Sequence, residues 1–212
     1  MIPKQHLLPL VAALLVAAPV LAAPTHTGTW TASPHKENQL QLSIRMKGEP
    51  GSQIGMSEPL TAFQGLSTAE GSTAPFRMVR EAGTFSFEGR FSGGEGAGHF
   101  QFEPAESYVK AMAGLGYPKL TAQEQFKLAL FDISTARVKE LAALGYKDLP
   151  LEQLFEVGIF EVTPEFIREV RDMGYPNATV EDLVKLRIHG IDREFVRSLS
   201  GGKGKDDGRK KP

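Results

Sequence analysis

The 212-residue sequence contains no cysteine. That excludes a disulfide framework, a thiolate metal site and a lipid-attachment cysteine, so packing and hydrogen bonding alone must hold the fold. Tryptophan occurs once, and the formal net charge is only −1. A chain without basic excess is not built around nucleic acid as its main partner. Long apolar runs are missing too. The stretch from Leu7 to Ala23 has 17 residues and is interrupted by Pro9 and Pro19, short of the roughly 20 that span a bilayer.

What that stretch does match is a secretory signal peptide. Residues 1–23 carry Lys4 in a short leading region, an apolar segment from Leu7, and small residues at a Val20-x-Ala22 cleavage site. The mature chain is then expected to begin near Ala23 and to be exported, either to a periplasm or out of the cell. At the other end, residues 200–212, "SGGKGKDDGRKKP", hold five basic and two acidic residues and none able to join a core. They are read as a disordered basic tail. Removing Lys4 and this tail leaves the intervening body with a net charge of about −5.

The body changes character near Pro104. Across residues 24–103, "QLQLSIRM" puts Leu40, Leu42, Ile44 and Met46 on one face, and "TFSFEGRF" does the same with Phe85, Phe87 and Phe91. Period two is the mark of a half-buried strand. "PFRMVR", "HFQFE" and a segment around Trp30 complete an expected antiparallel meander of five or six strands. "SGGEGAG" reads as a hairpin tip in which Gly93, Gly94, Gly96 and Gly98 permit positive φ. A phosphate-binding loop would need a helix after it, and here a strand-like segment follows.

Across residues 104–199 the pattern is helical and repeats every 29 residues. Gly116-Tyr117, Gly145-Tyr146 and Gly174-Tyr175 mark the period, and Val109, Val138, Ile167 and Val196 form one of its apolar columns. Each unit is expected to hold two short helices. The first starts at Ser134, Thr163 or Asp192 and stops at the recurrent glycine. The second starts at Thr121, Pro150 or Thr179, with Glu124 and Asp182 placed for capping boxes. Helices of this length are marginal alone, so the units must stack. The fold class is therefore α+β: a small antiparallel β meander followed by an array of short α-helical hairpin repeats.

Catalytic chemistry has little foothold. His26, His35, His99 and His189 show no ligand spacing, and His189 beside Gly190 reads as a helix-end residue satisfying the last carbonyls. No GxSxG or HExxH motif occurs. No catalytic residue, metal site or cofactor is assigned, and the protein is read as a non-enzyme. One column stands out: Lys110, Lys139, Arg168 and Arg197 place a cation at the same position of each successive first helix. Stacking would align them into a basic stripe able to bind a partner, with Glu140 and Glu169 nearby to offset their charge.

The "REAGTFSFEGRF" strand, the Gly-Tyr repeats and "VTPEFIREVRDMGYPNATVEDLVKLRIHGIDREFV" resemble an extracytoplasmic C-terminal region. It is found on some bacterial antirepressor metallopeptidases of the beta-lactam-sensor type and on exported relatives lacking the peptidase. The resemblance covers nearly all of residues 28–199, while "LALFDI" and "EVGIFEV" depart from the "LRIHG" wording. It implies an accessory or sensing module exposed in the cell envelope and carries over no catalytic residue. Residues and resemblance together point to a module binding a protein or an anionic envelope component through its helical face. A small-ligand sensor with a pocket between the β part and the first helices is the alternative, and an envelope hydrolase a distant third.

Overall fold

A computed structural model describes residues 26–201 except Glu37, Pro50, Ser52 and Ala74, with side chains described to residue 197. The expected signal peptide and the tail from residue 202 onward lie outside the described residues. The first part is a seven-stranded sheet: β1 (His26–His35), β2 (Gln39–Met46), β3 (Gln53–Pro59), β4 (Phe63–Gln64), β5 (Phe76–Arg80), β6 (Gly83–Ser92) and β7 (Glu95–Pro104). Its order is β3-β2-β1-β7-β6-β5-β4, and every pair is antiparallel. The expected meander is thus two meanders joined where the first and last strands pair. The strands beyond the expected five or six are β3, whose residues are mostly polar, and β4, with only two residues.

Register explains why the sheet has one apolar face. Trp30 stands opposite Ile44 on one side and Gly98 on the other, Phe87 opposite Phe76 and Phe100, and Phe85 opposite Met78 and Phe102. Their rings pack closely, Phe76 and Phe87 stacked at 4.8 Å, Trp30 edge-on to Phe76 at 5.2 Å, and Phe85 tilted against Phe102 at 4.7 Å. Gly93 and Gly94 have φ of 61° and 81° and form the hairpin tip. Gly96 and Gly98 do not. They lie inside β7, where a Cβ at Gly96 would come within 2.8 Å of both the Phe91 and Trp30 rings and one at Gly98 would collide with the Glu88 carbonyl oxygen, so Gly96 makes room for the aromatic rings and Gly98 for the backbone of β6.

Seven helices follow: α1 (Glu106–Ala113), α2 (Ala122–Leu130), α3 (Thr135–Ala143), α4 (Leu151–Ile159), α5 (Pro164–Asp172), α6 (Val180–Ile188) and α7 (Arg193–Gly201). The last runs on through Ser200 and Gly201, two residues that the sequence pattern places in the tail. Ser134 and Thr163 cap α3 and α5, the Asp192 carboxylate accepts the Phe195 N–H, and Thr121–Glu124 and Thr179–Asp182 form complete capping boxes. α1 packs on α3 and α3 on α5, while α2 packs on α4 and α4 on α6. Odd and even helices therefore make two layers.

The Gly-Tyr pair has two jobs, one read from sequence and one not. Gly116, Gly145 and Gly174 have φ of 99°, 94° and 100°, and the N–H of the following tyrosine bonds to the carbonyl of Met112, Leu141 or Val170, closing each helix. The phenols then reach forward. Tyr117 donates to the Leu149 carbonyl at 2.8 Å and Tyr146 to the Ala178 carbonyl at 2.6 Å, each just ahead of a second-helix start in the next unit. The even helices close in the same way around Asp132, Glu161 and Gly190, with φ of 51°, 50° and 62°. At the third of these ends the closure is made by the Gly190 and Ile191 backbone N–H groups; no hydrogen bond joins the exposed His189 side chain to a carbonyl among the described residues.

The helices join the sheet through α2. Phe126 is fully buried against Phe85, Phe100 and Phe102, and His26 stacks on its ring at 4.7 Å. Beside it, buried Gln125 donates to the Ala82 carbonyl at 2.7 Å and the Ala105 carbonyl at 2.9 Å. Sheet and array thus share one core. Phe126→Ala is expected to cost about 3–5 kcal/mol, and Trp30 fluorescence and helical circular dichroism should be lost together in urea. Two separated transitions would show that the parts fold independently.

Candidate functional site

The four cations of the repeat column all lie on odd helices: Lys110 on α1, Lys139 on α3, Arg168 on α5 and Arg197 on α7. All are exposed. Direct packing of α1 on α3 and of α3 on α5 brings the first three onto one layer. Arg193 of α7 bonds the Asp172 carboxylate at the end of α5 at 2.6 Å, which ties the fourth helix to the third. The charges are only lightly neutralised. Arg168 meets Glu165 at 3.3 Å across one helical turn, an exposed pair worth roughly 0.2–0.5 kcal/mol. Among the described residues neither Glu140 nor Glu169 forms an ion pair with the row.

A second concentration of charge lies between the sheet and the helices, where the alternative reading expects a pocket. A cleft of about 470 Å³ is lined by Gly55, Met56, Ser57 and Glu58 of β3, Arg80 of β5, and residues around the ends of α2 and α4. Arg80 sits at its base, bonded to Glu58 at 2.7 Å and to Asp132 at 3.2 Å. Arg137 closes the helical side, donating to the Val157 carbonyl at 3.0 Å and to the Phe131 and Val162 carbonyls at 3.4 Å. An arginine is suited to this because its planar fork serves several acceptors at once.

Burial governs the ionisation of this cluster. It pushes the Glu58 carboxyl above its ordinary value, the Asp132 and Glu161 carboxylates push the same way, and the Arg80 contacts offset only part of the rise. For Arg137 burial acts in the opposite direction and lowers the guanidinium, countered by Asp132, Glu161 and Glu165; it stays charged. Sequence reasoning missed this cluster because its members come from β3, β5, α3 and the turn that follows α2. One signal was present: Arg137 occupies the column that holds Tyr108 and Phe166 in neighbouring units, where a cation is out of place.

Other candidates resolve into structural roles. In the Gly-rich hairpin the Glu70 carboxylate accepts the Gly93 N–H at 2.7 Å and the Ser92 hydroxyl at 2.9 Å, so an acid already fills the place of an anion. Among the described residues no group of three or more His, Asp or Glu side chains converges as a metal site. Nor is any described helix long and apolar enough to cross a membrane. No protein-family model, curated protein or solved structure matches the chain.

The raised Glu58 has a consequence for stability. Between its ordinary value of 4.5 and its higher folded value the native state binds more proton than the unfolded chain. Its contribution to stability therefore falls as pH rises through that window, with the penalty complete above it. In urea titrations across this range, Glu58→Gln is expected to remove that downward component relative to the unsubstituted protein. Parallel pH profiles for the two would contradict the assignment.

Proposed function

We propose that the protein is an exported, non-enzymatic interaction module of the bacterial cell envelope that binds an acidic partner along its odd-helix layer. The observation that carries the reading is the row Lys110, Lys139, Arg168 and Arg197, exposed on successive helices of which α1, α3 and α5 pack side by side. Repeat arrays bind along such surfaces because stacking fixes the spacing of identical positions. Four cations at regular intervals suit a surface carrying regular negative charge, whether on a protein or on another anionic envelope component. The signal-like leader and the resemblance to the extracytoplasmic region of beta-lactam-sensor metallopeptidases support the envelope location.

The cleft supports a second reading, a small-ligand sensor. Its volume of about 470 Å³ falls within the range of small-molecule pockets. A compound that raises the melting temperature of the protein but not that of a cleft variant such as Ile159→Trp would favour this reading.

The row is tested by crosslinking capture from bacterial envelope extract, comparing the mature chain with a variant carrying Glu at 110, 139, 168 and 197. Both proteins must first show the same circular dichroism. A partner captured by the first and lost from the second is the expected result, with capture weakening as salt is raised. Equal capture by both would overturn the row as the binding surface.

A further inference from the structure

We infer that the free edge of β3 is a docking site for an extended basic peptide, which adds as a further strand inside the cleft between sheet and helices. The inference rests on the cleft and is independent of the cationic row. β3 is terminal in the sheet and pairs only with β2, from Gln39–Pro59 to Arg45–Gln53. Among the described residues, no other backbone group bonds to the backbone of Gln53–Ser57. An antiparallel edge strand presents alternate N–H and C=O groups outward, and a second extended chain satisfies them as a ladder.

The lining of the cleft shows that this edge is accessible. Successive residues of a strand point to opposite faces, yet Gly55, Met56, Ser57 and Glu58 all line the same cleft. Gln41 of β2, the partner of Ser57, lines it too, so the cleft covers one face of the β2–β3 pair and wraps over the β3 edge to reach Met56 and Glu58. Protective features are sparse: Gln53–Ser57 contains no charge and no proline, and Pro59 stands only at the strand's end.

The opposite wall sets the chemistry of the peptide. It is built from the C-terminal ends of α2 and α4, where Phe131, Asp132, Ile159 and Glu161 face the cleft. Helix C-termini carry partial negative charge, and the Asp132 and Glu161 carboxylates remain 55% and 72% exposed. Each already accepts one arginine at 3.2 Å, but an ionised carboxylate can accept further donors. The cleft's own cations are engaged, Arg80 by two carboxylates and Arg137 by three carbonyls. Lysine or arginine side chains projecting from the added strand toward this wall complete the match.

The test uses the mature chain and two fluorescent ten-residue peptides, one alternating Lys and Val, the other Glu and Val. Binding is read by anisotropy at physiological salt and located by hydrogen exchange. The expected result is that the Lys peptide binds at least about tenfold more tightly and slows exchange within Gln53–Ser57. Charge reversal at Asp132 and Glu161 to Lys should weaken it by a similar factor, while the four-Glu row variant should retain it, so failure of the row leaves this inference standing. A Gly55→Pro, Ser57→Pro variant that keeps its Trp30 fluorescence should lose binding. Equal binding of the two peptides, no binding, or slowed exchange only outside β3 would overturn the proposal.

Discussion

Phe126 couples the two halves of the molecule. Its ring completes the aromatic layer of β6 and β7, and its helix starts the even layer of the array, so sheet and repeats are positioned by the same side chain. Gln125 beside it cannot slide without breaking a buried hydrogen bond to the Ala82 carbonyl and a partly buried one to the Ala105 carbonyl. Leaving such groups unpaired costs about 1–3 kcal/mol each. The cleft exists because α2 is held here: its C-terminal end forms one wall, and the unpaired edge of β3 forms the other.

Beyond α2 the array is propagated by bonds that cross from unit to unit. The tyrosine phenols are one set. A second is made by arginines that reach back to earlier helix ends: Arg171 to the Leu144 carbonyl, and Arg187 to the Phe160 carbonyl at 3.0 Å. Both link positions 27 residues apart, tying α5 to the end of α3 and α6 to the end of α4. Regularity weakens toward the last unit. Phe166 is 4% exposed, whereas Phe195 in the same column is 42% exposed, and Tyr175 is 59% exposed where Tyr117 and Tyr146 are half-buried.

Much of this was legible in the sequence because it depends on local chemistry. The caps at Thr121, Ser134, Thr163 and Thr179, the glycine stops and the alternating faces of β2 and β6 each follow from a few neighbouring residues. What was not legible depends on long-range pairing. β3 carries only Ile54 and Met56 in an otherwise polar segment, and neither a weak alternation nor the pairing of β1 with β7 leaves a local mark. Composition places Gly96 and Gly98 in a turn, although ring packing of Phe91 and Trp30 is what requires the first and close approach of the β6 backbone the second. The cationic row was visible as a column. The Arg80–Glu58–Asp132 cluster was not, since its members are separated in sequence and meet only after α2 docks.

Binding along the row requires the array to be a rigid ladder, with the row's cations at fixed intervals. The lack of native cysteine makes that directly measurable by spin labels at pairs of positions 110, 139 and 168. Packed helices lie about 8–10 Å apart. The ladder predicts strong and equal dipolar broadening for 110–139 and 139–168, and a narrow distribution near about 20 Å for 110–168. Unequal broadening of the adjacent pairs, or a wide distribution for the outer pair, would contradict it.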